Sequence, residues 1–292
     1  MAKLTLFAIL LSFFQLIFGQ TEIQITVIDS STGHVIPFCE IVYNNQGTIT
    51  NDDGSLILHF KKLPDSIMVY NLAYQRKVFK LKKHQREYLI KMRPKTFFIP
   101  EVEILAKEMK LIKKGIYKNR RFATLNYSRG DLLALYIDNK RNRKGILKEL
   151  QFYLCKGQTK NPTNTFRVHI YTVDSITKGP KDELLPENIF ANAKKGDEWV
   201  VVDISKYNID YPTSGFFIGF ELLSNHKTNE LVLSDGVYLE ENNAVLALSL
   251  EKQHQTLTWE KCIGRTWQKM EKSCKDCFHY NAKMACKILI EK

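Results

Sequence analysis

Several things are scarce in this chain, and each scarcity removes a class of protein. Only 14 of 292 residues are Gly and 8 are Pro, too few for a collagen-like or low-complexity chain. Apolar residues make up 44% and charged residues 25%, which excludes wholesale disorder. Beyond residues 4–18 no apolar run is long enough to cross a bilayer, so a polytopic membrane protein is excluded too. There is no Gly-rich phosphate loop, no Ser in a nucleophile elbow and no twelve-residue calcium loop with alternating oxygen donors. No stretch carries a complete catalytic signature. Acidic residues are also short, 31 Asp and Glu against 43 Lys and Arg.

What is present begins with an export signal. Lys3 supplies a positive start, residues 4–18 are uncharged, and Phe18-Gly19-Gln20 offers a small residue for cleavage, the pattern of a secretory signal peptide over residues 1–20. Fifteen uncharged residues fall short of the roughly 20 a membrane anchor needs. The mature chain, with no transmembrane span, is therefore expected to be exported: periplasmic, outer-membrane-associated or extracellular. A lipoprotein would need a Cys at the cleavage point, and the first Cys is Cys39.

Disulfides persist in such compartments. Cys262, Cys274, Cys277 and Cys286 crowd the C-terminal end and are the candidates for structural disulfides. The alternatives are zinc binding through Cys274 and Cys277, for which a second Cys pair is missing, and free thiols. Cys39 and Cys155 lie in apolar runs and are expected as buried thiols.

Strand patterns dominate. Ile23, Ile25 and Val27 alternate with Gln24 and Thr26, and turn residues follow at 29–33. Short runs at 38–43, 47–50, 55–60, 67–70, 77–81 and 88–92 complete seven strands, enough for a small antiparallel sandwich over residues 21–93. A second strand-rich block spans residues 146–292, with runs at 150–154, 166–173, 199–204, 215–223, 231–233, 244–250 and 283–290, a weaker one at 256–260, and the size of a jelly-roll-like sandwich. Between them, residues 94–145 read as a basic connector, with one possible helix over residues 101–116. From Arg76 to Lys148 there are 22 Lys and Arg against 6 Asp and Glu, a belt suited to anions. It carries no nucleic-acid-binding motif, so no nucleic acid is expected as partner.

The N-terminal block, with Ile25-Thr26-Val27-Ile28-Asp29, Thr32-Gly33, Ile36-Pro37-Phe38, Gly47-Thr48 and Thr50-Asn51-Asp52-Asp53-Gly54, resembles the carboxypeptidase-like regulatory domain, a transthyretin-like sandwich. Phe166-Arg167-Val168-His169-Ile170-Tyr171, with segments 182–189, 199–209 and 215–221, resembles the C-terminal half of exported carboxypeptidase-like regulatory domain-containing proteins common in Bacteroidetes-type bacteria. The resemblance implies envelope or surface association and no settled activity, and it does not extend to the Cys-rich tail.

The family name invites a zinc carboxypeptidase reading. His84 and Glu87 have the spacing of two zinc ligands, but they lie inside the small sandwich, and the chain has no room for a peptidase domain. A glycoside hydrolase would need two facing carboxylates, for which Glu221 and Asp235 are candidates, though acidic residues at strand ends are usually solvated. His169 is expected on an outward strand face, Asp52 and Asp53 in a hairpin turn. No cofactor and no catalytic residue are assigned. The expected function is non-catalytic, a binding or accessory module of the envelope whose partner is an envelope protein or an anionic or neutral surface glycan. The alternative is a carbohydrate-binding module in which Trp259, Trp267 and Tyr280 stack on sugars, whereas Trp199, inside an apolar strand, is expected in the core.

Overall fold

A computed structural model describes residues 21–96, 108–118, 122–123, 129–155, 165–194, 198–223, 245–251, 255–270 and 279–292. The expected signal segment over residues 1–20, Asp235, Cys274 and Cys277, the run at 231–233 and residues 101–107 of the expected helix lie outside the described residues.

The described residues are all-β and build a small sandwich followed by a larger, jelly-roll-like one. The small sandwich uses the seven expected strands: β1 (Thr21–Asp29), β2 (Glu40–Tyr43), β3 (Gln46–Ile49), β4 (Ser55–Phe60), β5 (Ser66–Tyr70), β6 (Lys77–Lys80) and β7 (Glu87–Met92). One sheet runs β4-β1-β7 and the other β3-β2-β5-β6. Alternation along β1 puts Ile23, Ile25 and Val27 wholly in the core, against Ile41, Leu58, Val69 and Ile90. The β1–β7 pair is parallel, so the sandwich is not purely antiparallel as expected.

The larger body holds β8 (Met109–Gly115), β9 (Phe122–Ala123), β10 (Leu132–Ile137), β11 (Gly145–Cys155), β12 (Thr165–Val173), β13 (Pro180–Glu183), β14 (Ile189–Asn192), β15 (Glu198–Asp203), β16 (Phe216–Leu223), β17 (Val245–Leu246), β18 (Leu248–Glu251), β19 (Thr258–Lys261), β20 (Gln268–Lys269), β21 (His279–Ala282) and β22 (Met284–Glu291). Its front sheet runs β13-β12-β16-β10-β19-β20, with β14 also beside β12. The back sheet runs β15-β11-β22-β8, with β17 also on β11, and β21-β18-β9 form a third, small sheet. Phe166, Val168 and Ile170 of β12 with Phe216, Ile218 and Phe220 of β16 meet Leu150, Phe152 and Ile288 of the back sheet in one core.

Two expectations are corrected here. Residues 94–145 are not merely a connector, since β8 and β10 come from that stretch and β10 is central in the front sheet. Within the expected helix, residues 109–115 form a strand, because β22 offers them an unpaired edge along seven positions. The result is an edge strand carrying Lys110, Lys113 and Lys114, charges that discourage further strand addition.

Candidate functional site

The front sheet has a second, outward face. Strand alternation sends Arg167, His169 and Tyr171 of β12 outward, opposite Glu221, Gly219 and Phe217 of β16 in register. The face is not left to water: the small sandwich covers one end of it, and β16 is buried on both sides.

At the covered end lies a network of ionisable side chains. Arg167 donates from Nε to Glu221 Oε2 at 2.7 Å and from Nη2 to Glu221 Oε1 at 2.8 Å, a bidentate pair. The same Nη2 donates to the Phe38 carbonyl at 2.9 Å and Nη1 to Asn188 Oδ1 at 3.0 Å. His169 has Nδ1 2.7 Å from Glu183 Oε2 and Nε2 3.0 Å from Glu221 Oε2. Gly219, directly across from His169, leaves the space in which the imidazole lies. Glu183 also accepts the backbone N–H of Ile170 at 2.8 Å. Side-chain exposures of 2% for Arg167, 0% for Glu221, 7% for His169 and 9% for Glu183 show how completely water is excluded.

Charge balance makes such burial tolerable. Burial by itself would push the His169 imidazolium down, but the Glu183 and Glu221 carboxylates more than reverse this and hold its pKa at about 8. Burial would raise Glu221. Arg167 foremost, with hydrogen bonds from His169 and Arg167, instead holds it well below the usual carboxylate range. Glu40, from the small sandwich, is pushed up by burial. Both nitrogens of His169 and both oxygens of Glu221 are thus engaged inside the protein.

The two sandwiches are joined here. Phe38 sits at φ 53°, a region a bulky residue rarely occupies. It packs with Leu223, Ile263 and Ile49, its ring 5.4 Å from that of Phe190. Ile263 wedges between the sandwiches so tightly that a Cβ on Gly47 would lie 2.2 Å from its Cγ2, and one on Gly130 2.1 Å from its Cδ1. Arg129 donates to Asn51 Oδ1 at 2.8 Å and to the Thr50 carbonyl at 2.7 Å.

Beyond this network the same face becomes aromatic. Tyr171 stacks on His169 at 5.3 Å and 10°, and Trp267 meets Tyr171 edge-on at 5.4 Å and 69°. Trp259 of β19 meets Phe217 at 6.3 Å and 83° and packs over Gly179, where a Cβ would come within 2.7 Å of the ring. Trp259, Trp267 and Tyr136 are only half-buried around buried Leu132, Ala134, Tyr171 and Phe217. Lys261 Nζ lies 5.9 Å over the Trp267 ring.

The expected aromatic trio is therefore split. Trp259 and Trp267 share this shelf, whereas Tyr280 of β21 packs against the core between the sheets and drops out of it. Trp199 is not in the core: it is half-buried on β15, edge-on to Tyr153 at 5.4 Å. Cys262 and Cys286 are both free thiols among the described residues, and the other two candidates, Cys274 and Cys277, lie outside those residues. Cys286 faces the sandwich core, and burial pushes its thiol up to about 12. His84 is exposed in the turn before β7, and Glu87 is exposed at the first position of that strand. Asp53 accepts hydrogen bonds from the Ser55 backbone at 2.9 Å and hydroxyl at 2.6 Å, closing its own turn. His169 and Glu221, expected at the surface, are buried, because the outward face of the front sheet is covered by a second sandwich that β12 and β16 alone do not reveal.

No family model matches the chain, and no curated protein matches it. Among solved structures it is similar to a DUF3823-family protein from Bacteroides ovatus ATCC 8483, at 8% identity and a TM-score of 0.19, over 70% of this chain and 100% of that one. A DUF3823-family protein from Bacteroides uniformis ATCC 8492 aligns at 9% identity and a TM-score of 0.18, over 84% and 100%. A carbohydrate-binding module from the β-sandwich superfamily aligns at 9% identity and a TM-score of 0.20, over 71% and 94%.

Proposed function

We propose that this is an exported, non-catalytic binding protein of the cell envelope, and that the Trp259–Trp267 shelf on its larger sandwich takes carbohydrate. The observation that carries the reading is the division of the front sheet's outward face. Its acid–base groups are sealed and mutually paired, whereas its aromatics stay half-open. A proton-transfer catalyst needs a titratable group within reach of substrate, and His169 and Glu221 spend their reach on each other and on Arg167 and Glu183. Indole rings held rigidly by neighbouring rings suit the apolar faces of sugars, since little conformational entropy is lost on stacking. Export rests on residues 1–20, and the resemblance of residues 21–93 to carboxypeptidase-like regulatory domains is consistent with an appended, non-catalytic module.

The test is a glycan array followed by calorimetry with the mature protein and with Trp259→Ala/Trp267→Ala. Binding that falls at least about tenfold in the double variant, a loss of about 1.4 kcal/mol, is expected. Binding undiminished in the variant, or robust hydrolysis of the glycan by the purified protein, would reject the proposal.

A further inference from the structure

At the end of the front sheet away from the small sandwich, β10 runs out into a tight basic loop. Its first residue, Leu132, is in register with Glu221, and its last, Ile137, with Phe216, so Asp138 to Arg143 emerge a full strand length from the interface. There Lys114, Asp138, Asn139, Lys140, Arg141, Arg143 and Tyr211 line a cleft of about 280 Å³.

The cleft is built rather than incidental. Buried Asn139 donates from Nδ2 to the Arg143 carbonyl at 3.0 Å and to the Pro212 carbonyl at 3.2 Å, and its Oδ1 accepts the Arg143 N–H at 3.0 Å. Asn142 takes the left-handed conformation, φ 47°, that closes the turn. Lys114 donates to the Asp138 carbonyl at 2.8 Å and pairs with its carboxylate, Lys140 reaches that carboxylate at 3.4 Å, and the Tyr211 hydroxyl donates to the Asp138 carbonyl. The lone acid is thus already shared by two lysines. Among the described residues no ion pair engages the guanidinium of Arg141 or Arg143, and the lining carries four basic side chains against one acid.

We infer that this cleft is an oxyanion site that takes a sulfate or phosphate group carried on a sugar ring. Guanidinium forks bind tetrahedral oxyanions bidentately, and a rigid loop lowers the entropy lost in aiming them. The volume is near the lower end of ligand sites, about 300–1,000 Å³, which suits one substituted ring better than an oligosaccharide. The site is separate from Trp259 and Trp267 and stands or falls independently of them.

The test is calorimetric titration of the mature protein at low ionic strength with glucose 6-sulfate, glucose 6-phosphate, inorganic sulfate and inorganic phosphate. Arg141→Gln/Arg143→Gln, the exposed single change Arg141→Gln, and a distant charge-matched pair, Lys82→Gln/Lys83→Gln, are measured alongside. Expected is saturable binding of at least one ester, tighter than of the free ions. It weakens about tenfold or more in the double variant, since the charge-assisted hydrogen bonds from both guanidinium groups are lost. The single variant should fall between, at an unchanged melting temperature, and the lysine pair should bind as the parent does. Absence of saturable binding, equal losses in the arginine and lysine pairs, or binding of the inorganic ions alone would overturn it.

Discussion

Arg167 is the side chain on which most of the molecule's polar order converges. It makes two hydrogen bonds to Glu221, one to the Phe38 carbonyl and one to Asn188, so Arg167→Met would leave the buried Glu221 carboxylate with only the His169 imidazolium that it shares with Glu183. Breaking a buried pair from one side costs about 3–5 kcal/mol, and urea unfolding should show a loss of that size. Adding Glu221→Gln to the same chain should recover part of it, because the orphaned charge is gone. His169 gives the protein a pH signature. Its folded pKa, about 8, exceeds the ordinary 6.5, so its stabilisation is complete below pH 6.5 and lost as pH rises through 8. The difference corresponds to about 2 kcal/mol at 1.36 kcal/mol per pKa unit. Glu221 works in the opposite sense, stabilising above its ordinary 4.5 and failing only as pH falls well below that. On account of His169 and Glu221, stability measured against pH should be highest between about 4.5 and 6.5, with buried Glu40, whose carboxyl is pushed up, drawing the maximum toward the acid end of that window. His169→Gln should lessen the decline on the alkaline side.

At the scale of elements, what sequence makes legible is alternation within one strand, and what it hides is what lies over the strand. The seven strands of the small sandwich follow directly from patterns such as Ile23, Ile25 and Val27. So does the inward set Phe166, Val168 and Ile170, all of it in the core. The outward set Arg167, His169 and Tyr171 reads as a solvated face only while nothing covers it. One clue was available: Glu221 sits in Phe216–Leu223, an apolar run buried on both faces, where a carboxylate must find a cation. Strand β8 departs from the helix that its local pattern suggests for a related reason. Its register comes from β22, more than 160 positions away, and no local period encodes that. The seam between the bodies depends on Gly47, Gly130 and Ile263. Gly47→Ala would force its new Cβ into Ile263 and should destabilise by about 1–3 kcal/mol. Combined with Ile263→Ala, it should cost less than the sum of the single changes, a coupling that a double-mutant cycle reads.

Across the whole molecule, contacts run without a gap from the open shelf to the seam: Trp267 on Tyr171, Tyr171 on His169, His169 on Glu221, and Glu221 through Arg167 to Phe38 of the small sandwich. Leu72, from the small sandwich, is also part of the larger core. The two bodies should therefore unfold in a single cooperative transition at pH 6, and Arg167→Met should split it into two, as scanning calorimetry would show. The chain has only three tryptophans, two on the shelf and one, Trp199, on the opposite sheet. That makes the binding reading open to a direct spectroscopic test. In a proton–nitrogen correlation spectrum of the mature protein, the three indole N–H signals, assigned by single Trp→Phe changes, are followed as a glycan identified on the array is added. Shifts in the Trp259 and Trp267 signals with Trp199 unmoved are expected. A Trp199 signal that moves alone, or three that stay still while the glycan binds, would contradict the shelf as the place where this protein holds its ligand.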